Sequence, residues 1–200
     1  MIKNVIFDVG GVLIDWNVKR ALETFGFSTE TIHKIESKIF LPEVWVEEDL
    51  SIKGENELLS FFQSKCPECA EDFAYLWDHF DQTVSGIPGT DEWIKSLQEQ
   101  GKHVYILSNF GTHCFKQVRK KFLGFLDIVD GAVISYEIHK VKPEREIYDY
   151  LLDKYDLKAE ESVFIDDREE NLLTARKLGL HTILCKDRTQ TKHDLEEILK

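Results

Sequence analysis

At 200 residues, with 42% hydrophobic and 31% charged residues, the chain has enough apolar material for one folded domain and is too apolar to stay disordered. Its net charge of −12 repels nucleic-acid phosphates and anionic membrane surfaces, so the sequence excludes a broad polyanion partner. A small phosphorylated molecule remains possible where a metal or a lysine reverses the sign locally.

No run approaches the roughly 18 apolar residues of a membrane span, and residues 1–20 lack a basic leader with a small-residue cleavage site, so the expected compartment is the cytoplasm. The four cysteines, at 66, 69, 114 and 185, are then expected as reduced thiols. Cys66-Pro67-Glu68-Cys69 has the spacing of half a zinc site or a redox motif, yet no second such pair follows, and a tight corner between two helices is expected there.

In chain order, Val5-Ile6-Phe7 reads as a buried strand that stops at Asp8, followed by Gly10 and Gly11. Residues 16–85 then carry helical spacing and aromatic anchors with no convincing strand, which predicts an inserted helical subdomain. Its place directly after the first strand predicts a lid over the carboxyl edge of the sheet, with Trp45, Glu47, Glu48 and Asp49 facing either a ligand or solvent. Gly86-Ile87-Pro88-Gly89 reads as the return hinge, and Thr90 as the cap of the next helix, which Gly101 ends.

Val104 to Leu107 is the next expected strand and delivers Ser108 and Asn109 at its end. A helix over Phe115 to Phe122 and a strand over Ala132 to Ile134 follow. Val141-Lys142-Pro143 precedes a helix over Arg145 to Tyr155. Val163 to Ile165 is a strand ending in Asp166-Asp167, Glu169 to Leu178 a helix ended by Gly179, and Thr182 to Cys185 the last strand. This alternation predicts a doubly wound α/β parallel sheet, with a core of residues 1–15 and 86–200 and a helical cap of 16–85. In such a sheet Asp8, Ser108, Asn109, Lys142, Asp166 and Asp167 all fall on one edge.

Four stretches at that edge, "FDVGGVL", "LSN", "VKP" and "FIDDREEN", resemble in order and separation the four motifs of the haloacid dehalogenase (HAD) superfamily. The pattern D-D-x-x-x-N-x-x-x-A-R-x-L-G, Asp166 to Gly179, is similar to small bacterial sugar-phosphate phosphatases and to the phosphatase domain of soluble epoxide hydrolases. The resemblance spans the whole chain. It implies a Rossmann-like core with a helical cap and phosphoryl transfer through an aspartyl-phosphate on a small phosphorylated metabolite, a sugar phosphate among the candidates.

The chemistry of the residues agrees. Attack of the Asp8 carboxylate on a phosphate dianion needs a cation between them, and Mg²⁺ suits oxygen ligands. The expected ligands are Asp8 and Asp167, with the Gly10 backbone carbonyl added by the resemblance and Asp166 behind them orienting bound water. Ser108, the Asn109 backbone N–H and Lys142 are expected to hold the phosphoryl group. Asn171 either bonds to the loop that carries Asp8 or faces solvent.

The sequence departs from the family at Gly10. Most phosphatases of the superfamily have a second aspartate there, which serves as general acid and base. His113 and Asp15 are the expected substitutes by location, or else the substrate leaves without help. Two alternatives accompany this reading: a metal-independent dehalogenase, in which the same aspartate attacks carbon, and a non-enzymatic binding protein built on this fold.

Overall fold

The continuous apolar runs become strands buried on both faces, as a parallel sheet covered by helices requires. The computed structural model describes residues 1–200. It contains β1 (Asn4–Phe7), β2 (Ile14–Trp16), α1 (Val18–Thr24), α2 (Thr29–Lys38), α3 (Pro42–Leu50), α4 (Glu55–Lys65), α5 (Ala70–Asp78) and β3 (Val84–Gly86). There follow α6 (Thr90–Glu99), β4 (His103–Ser108), α7 (Thr112–Phe122), β5 (Gly131–Ile134), α8 (Ser135–Ile138) and α9 (Arg145–Lys154). The chain ends with β6 (Ser162–Asp166), α10 (Glu169–Lys177), β7 (His181–Leu184) and α11 (Arg188–Leu199). No helix is long and apolar enough to cross a membrane.

The five-stranded sheet has the order β5-β4-β1-β6-β7 and every pairing is parallel. Side chains alternate between two layers. Val5 and Phe7 join Trp93, Ile94 and Val118 on one face. Ile6 and Phe164 join Ile147, Tyr148, Leu172 and Ala175 on the other. The chain first winds from β1 towards β5 and then crosses back to β6, so the topological switch point lies beside β1, where ligands of open α/β sheets bind.

Every expected core strand and helix forms. The expectation of no strand near the insertion fails at its borders: β2 and β3 pair antiparallel, Ile14 with Gly86 and Trp16 with Val84, and close the neck of the inserted segment. Each strand has three residues and partners more than sixty positions away, so local periodicity carries no trace of them. Thr90 does not accept as a cap; its hydroxyl donates to the carbonyls of Leu13 and Ile87 at 3.0 and 2.9 Å, tying helix α6 to the β1 loop. Cys66 and Cys69 are buried at a turn where Pro67–Cys69 form a short 3₁₀ segment between α4 and α5.

Between β2 and β3, α1 to α5 pack around Trp45, Phe62, Phe73 and Trp77, with Trp45 stacked on Phe62 at 5.2 Å. The apolar cluster runs unbroken from the sheet into these helices. The last turn of α3 also makes polar contacts with the core at four successive residues. Glu48 Oε1 accepts from Cys114 N at 3.1 Å, and the Asp49 carbonyl accepts from Ser135 Oγ at 2.7 Å. The Leu50 carbonyl meets His139 Nδ1 at 2.7 Å, and Ser51 Oγ accepts from Thr112 N at 2.8 Å.

This docking depends on a small residue at position 111, where a Cβ would stand 2.1 Å from the Glu48 carbonyl oxygen and 2.3 Å from its carboxyl carbon. Gly111→Ala is expected to cost about 1–3 kcal/mol through overpacking, which corresponds to a fall of roughly 2–12 °C in Tm for a chain of this size. Thermal unfolding followed by circular dichroism checks it.

Candidate active site

The site begins with the loop that ends β1. The Asp8 backbone N–H donates to the Ile165 carbonyl at 2.9 Å, so the residue is still held in the sheet register against β6. The N–H groups of Val12, Leu13 and Ile14 then fold back on the Val9 carbonyl. Gly11 adopts φ +72°, and a Cβ there would lie 2.6 Å from Asp167 Oδ2, so glycine is required twice over at this residue. Gly10 has no such requirement: the nearest atom to its missing Cβ is Trp16 Cε3, at 4.0 Å. Close approach of the backbone therefore demands glycine at position 11, whereas position 10 borders the cavity.

The ends of β1, β6 and the Val141–Pro143 loop meet at one ammonium. Lys142 Nζ lies 2.8 Å from Asp8 Oδ1 and 2.7 Å from Asp166 Oδ2, and the lysine side chain is 1% exposed. Burial alone opposes a charged lysine, but Asp166 and Asp8 outweigh it and raise its pKa, so the ammonium persists. Asp166 is saturated: besides Lys142 it accepts from Asn171 Nδ2, at 3.0 Å to each oxygen, and from the Arg168 N–H at 2.8 Å. Asn171 thus neither faces solvent nor reaches the Asp8 loop; it is 3% exposed and spends its amide on Asp166.

Asn109 has a role that its residue type did not announce. Its Nδ2 donates to the Lys142 carbonyl at 2.9 Å and its Oδ1 accepts from the Lys142 N–H at 2.8 Å, clamping the lysine loop to the end of β4. Ser108 is the last residue of β4, 1% exposed, and stands beside this clamp.

Carboxylate oxygens of Asp8, Asp166 and Asp167 lie within 4.8 Å of one another. Burial pushes the Asp8 carboxyl up to about 7, with Lys142 pulling against it and Asp166 and Asp167 adding to the rise. Asp167 is raised for the same reasons, burial first and Asp166 second. One buried ammonium does not balance three clustered carboxyls, and hard oxygen donors at this spacing fit a Mg²⁺ ion.

A cavity of about 560 Å³ opens over these groups, with Asp8, Gly10, Lys142 and Asp167 in its lining. Trp16, Phe40, Trp45 and Phe80 line it as well and contact one another at centroid distances of 4.4–6.4 Å. Of the acidic lid, Asp49 and the buried Glu48 border the cavity, while Glu47 pairs with Lys53.

The two substitutes expected for the residue missing at position 10 are placed elsewhere. His113 stacks on Trp77 at 4.0 Å, with Nδ1 2.7 Å from Glu55 Oε1 and Nε2 2.8 Å from the Trp77 carbonyl, and it does not border the cavity. Asp15 lies on β2, paired with Arg20 at 2.5 Å and bonded to Ser85, again outside the lining.

A parallel α/β core thus gathers carboxylates and a lysine at its switch point, the arrangement of a hydrolase built on an α/β sheet. The chain belongs to the haloacid dehalogenase-like hydrolases, whose family model matches residues 2–179. It is 26% identical to the sesquiterpene phosphatase astK of Aspergillus oryzae, over 98% of this chain and 96% of that protein. It is 24% identical to the D-ribitol-5-phosphate phosphatase of Bacteroides thetaiotaomicron, over 100% and 99%. Among solved structures, a HAD family enzyme of Bacteroides thetaiotaomicron in complex with magnesium and inorganic phosphate superposes with a TM-score of 0.75 at 26% identity, covering 92% of this chain and 94% of that one.

The crowding of Gly11 against Asp167 makes a test of the cation site. Mg²⁺ is expected to raise the Tm of the wild type, and Gly11→Ala to require about 5–30-fold more Mg²⁺ for the same rise, since strain of about 1–2 kcal/mol falls on the loop that fronts Asp167. Thermal shift titration with MgCl₂ reads both.

Proposed function

We propose that this chain is a Mg²⁺-dependent phosphomonoester hydrolase that forms an aspartyl-phosphate on Asp8, acting on a small phosphorylated metabolite. The observation that carries the reading is the division of labour between the oxygens of Asp8 and Asp166. Asp166 has every acceptor position engaged, whereas Asp8 is bonded through Oδ1 to Lys142 alone and borders the cavity. A nucleophile needs such a free oxygen.

Asp8 and Asp167, with the Gly10 carbonyl, would hold the cation, and Asp166 would act on it from behind through the lysine it fixes. When bound, Mg²⁺ supplies the positive charge that lets a carboxylate approach a phosphate dianion. Lys142 neutralises charge on the transferring group, and Ser108 and the Asn109 N–H donate to its oxygens. The Asn109–Lys142 clamp keeps these donors in place before substrate arrives, which limits the reorganisation that the reaction requires.

The aromatic wall gives the leaving group an apolar surface to pack on, suited to the C–H face of a sugar or to a hydrocarbon chain. The two relatives, one named for a sesquiterpene phosphate substrate class and one for a sugar-alcohol phosphate, fall at either end of that range. A metal-independent attack on carbon leaves the third carboxylate without a purpose.

Asp8→Asn is expected to reduce phosphate release from a panel of sugar, aryl and alkyl phosphates by at least about 10³-fold, the scale lost with a covalent nucleophile. A chelator is expected to abolish the wild-type activity and added Mg²⁺ to restore it. Turnover that survives in Asp8→Asn, or that ignores the chelator, would refute this assignment.

A further inference from the structure

Transfer of the phosphoryl group from an alcohol to Asp8 leaves an alkoxide that needs a proton, and Gly10 offers none. The carboxyl groups of the cavity narrow the choice of donor. Asp8 and Asp166 are committed to Lys142, Asp167 to the cation site, and Glu48 is fully buried against the Cys114 N–H. Glu43 and Glu144 are exposed at the rim. Asp49 remains. It is half-buried in the cavity wall, and its carboxyl is engaged in no hydrogen bond or ion pair with the protein.

We infer that Asp49, delivered by the cap on the last turn of α3, is the general acid and base of this enzyme, in place of the side chain that Gly10 lacks. Docking against the core fixes its backbone, because Glu48, Asp49, Leu50 and Ser51 each make a polar contact there at 2.7–3.1 Å. A Cβ at Gly10 would have Trp16 Cε3 as its nearest neighbour, at 4.0 Å, and both Gly10 and Asp49 border the cavity.

Burial, with Glu48 adding to it and Arg168 and Lys142 opposing, raises the Asp49 carboxyl to about 7. The charged groups that face it are these three and Asp8, so it carries a transferable proton near neutrality.

The assignment rests on the phosphatase reading. In the first step an oxygen of Asp8 bonds to phosphorus, the bond from phosphorus to the leaving oxygen breaks, and that oxygen takes the proton of Asp49. In the second step the Asp49 carboxylate takes a proton from water as the water oxygen bonds to phosphorus. The Asp8–phosphorus bond then breaks, releasing inorganic phosphate and restoring both side chains.

The test is a leaving-group series, 4-nitrophenyl, phenyl and benzyl phosphate, assayed with Mg²⁺ in the wild type, Asp49→Asn and Asp8→Asn. For Asp49→Asn, kcat/KM is expected to fall by about 10²–10⁴ for the benzyl ester, the worth of general acid catalysis, and progressively less as the leaving group improves. The wild-type fall in kcat/KM for benzyl phosphate above pH 7 is expected to vanish in the variant. Because Asp49→Asn keeps the side-chain shape, an unchanged Tm shows that the cap is still seated. Equal losses across the series, no loss, or an unaltered pH profile would overturn the role of Asp49 while Asp8→Asn stays inactive. An active Asp8→Asn would overturn the phosphatase reading itself.

Discussion

One buried ammonium organises this protein. Lys142 Nζ bridges Asp8 and Asp166, and through them it joins three segments that are far apart in the chain. Removing three charges from water is costly unless every remaining hydrogen-bonding position is filled. On the Asp166 side they are, by Asn171 and the Arg168 N–H. On the Asp8 side they are not, and that asymmetry leaves Asp8 as the carboxylate with a free oxygen towards the cavity. The same triad requires the ends of β1 and β6 to be neighbours, which a β5-β4-β1-β6-β7 order supplies and which places the chemistry at the switch point.

Around this centre the cap contributes to the site. Its aromatic cluster is continuous with the core and four consecutive residues of α3 and its end bind core groups. Two of those core groups, the Thr112 and Cys114 N–H donors, belong to the first turn of α7, where free N–H groups would otherwise lack partners. Glu48 and Ser51 satisfy them. The cost is the second oxygen of Glu48, which is buried without a partner and whose carboxyl is consequently raised above the usual range, burial being the main cause.

The core was legible because its strands are uninterrupted apolar runs that stop at polar residues, and because Asp8, Ser108 and Asp166-Asp167 each follow such a stop, while Lys142 stands before the proline that precedes a helix. What the residues do for one another was not. Asn109 reads as a turn residue, and its bidentate hold on Lys142 depends on two loops 33 positions apart. Asn171 could be placed on a helix face from its spacing, but its partner is set by the rotation of α10 against β6. His113 was plausible by its nearness to Ser108 in sequence; as the second residue of α7 it turns its ring onto Trp77 instead. Asp49 lies in a stretch of acidic residues with no periodic signal, and only the docking of α3 distinguishes it from Glu47, which turns to Lys53.

Moving the proton donor from the nucleophile loop to the cap ties the chemistry to the seating of the cap on the core. With both groups on the β1 loop, protonation of the leaving group would be available whether or not the cap was seated. With Asp49 on α3, the proposed proton donor belongs to the cap and the proposed nucleophile to the core, and both border the same cavity as the aromatic wall. Leaving-group protonation by Asp49 is thereby conditional on the docking of α3 against the core. Selection by the aromatic cavity and protonation by the carboxyl then depend on one element, because Trp45 and Asp49 are both carried by α3 and both border the cavity.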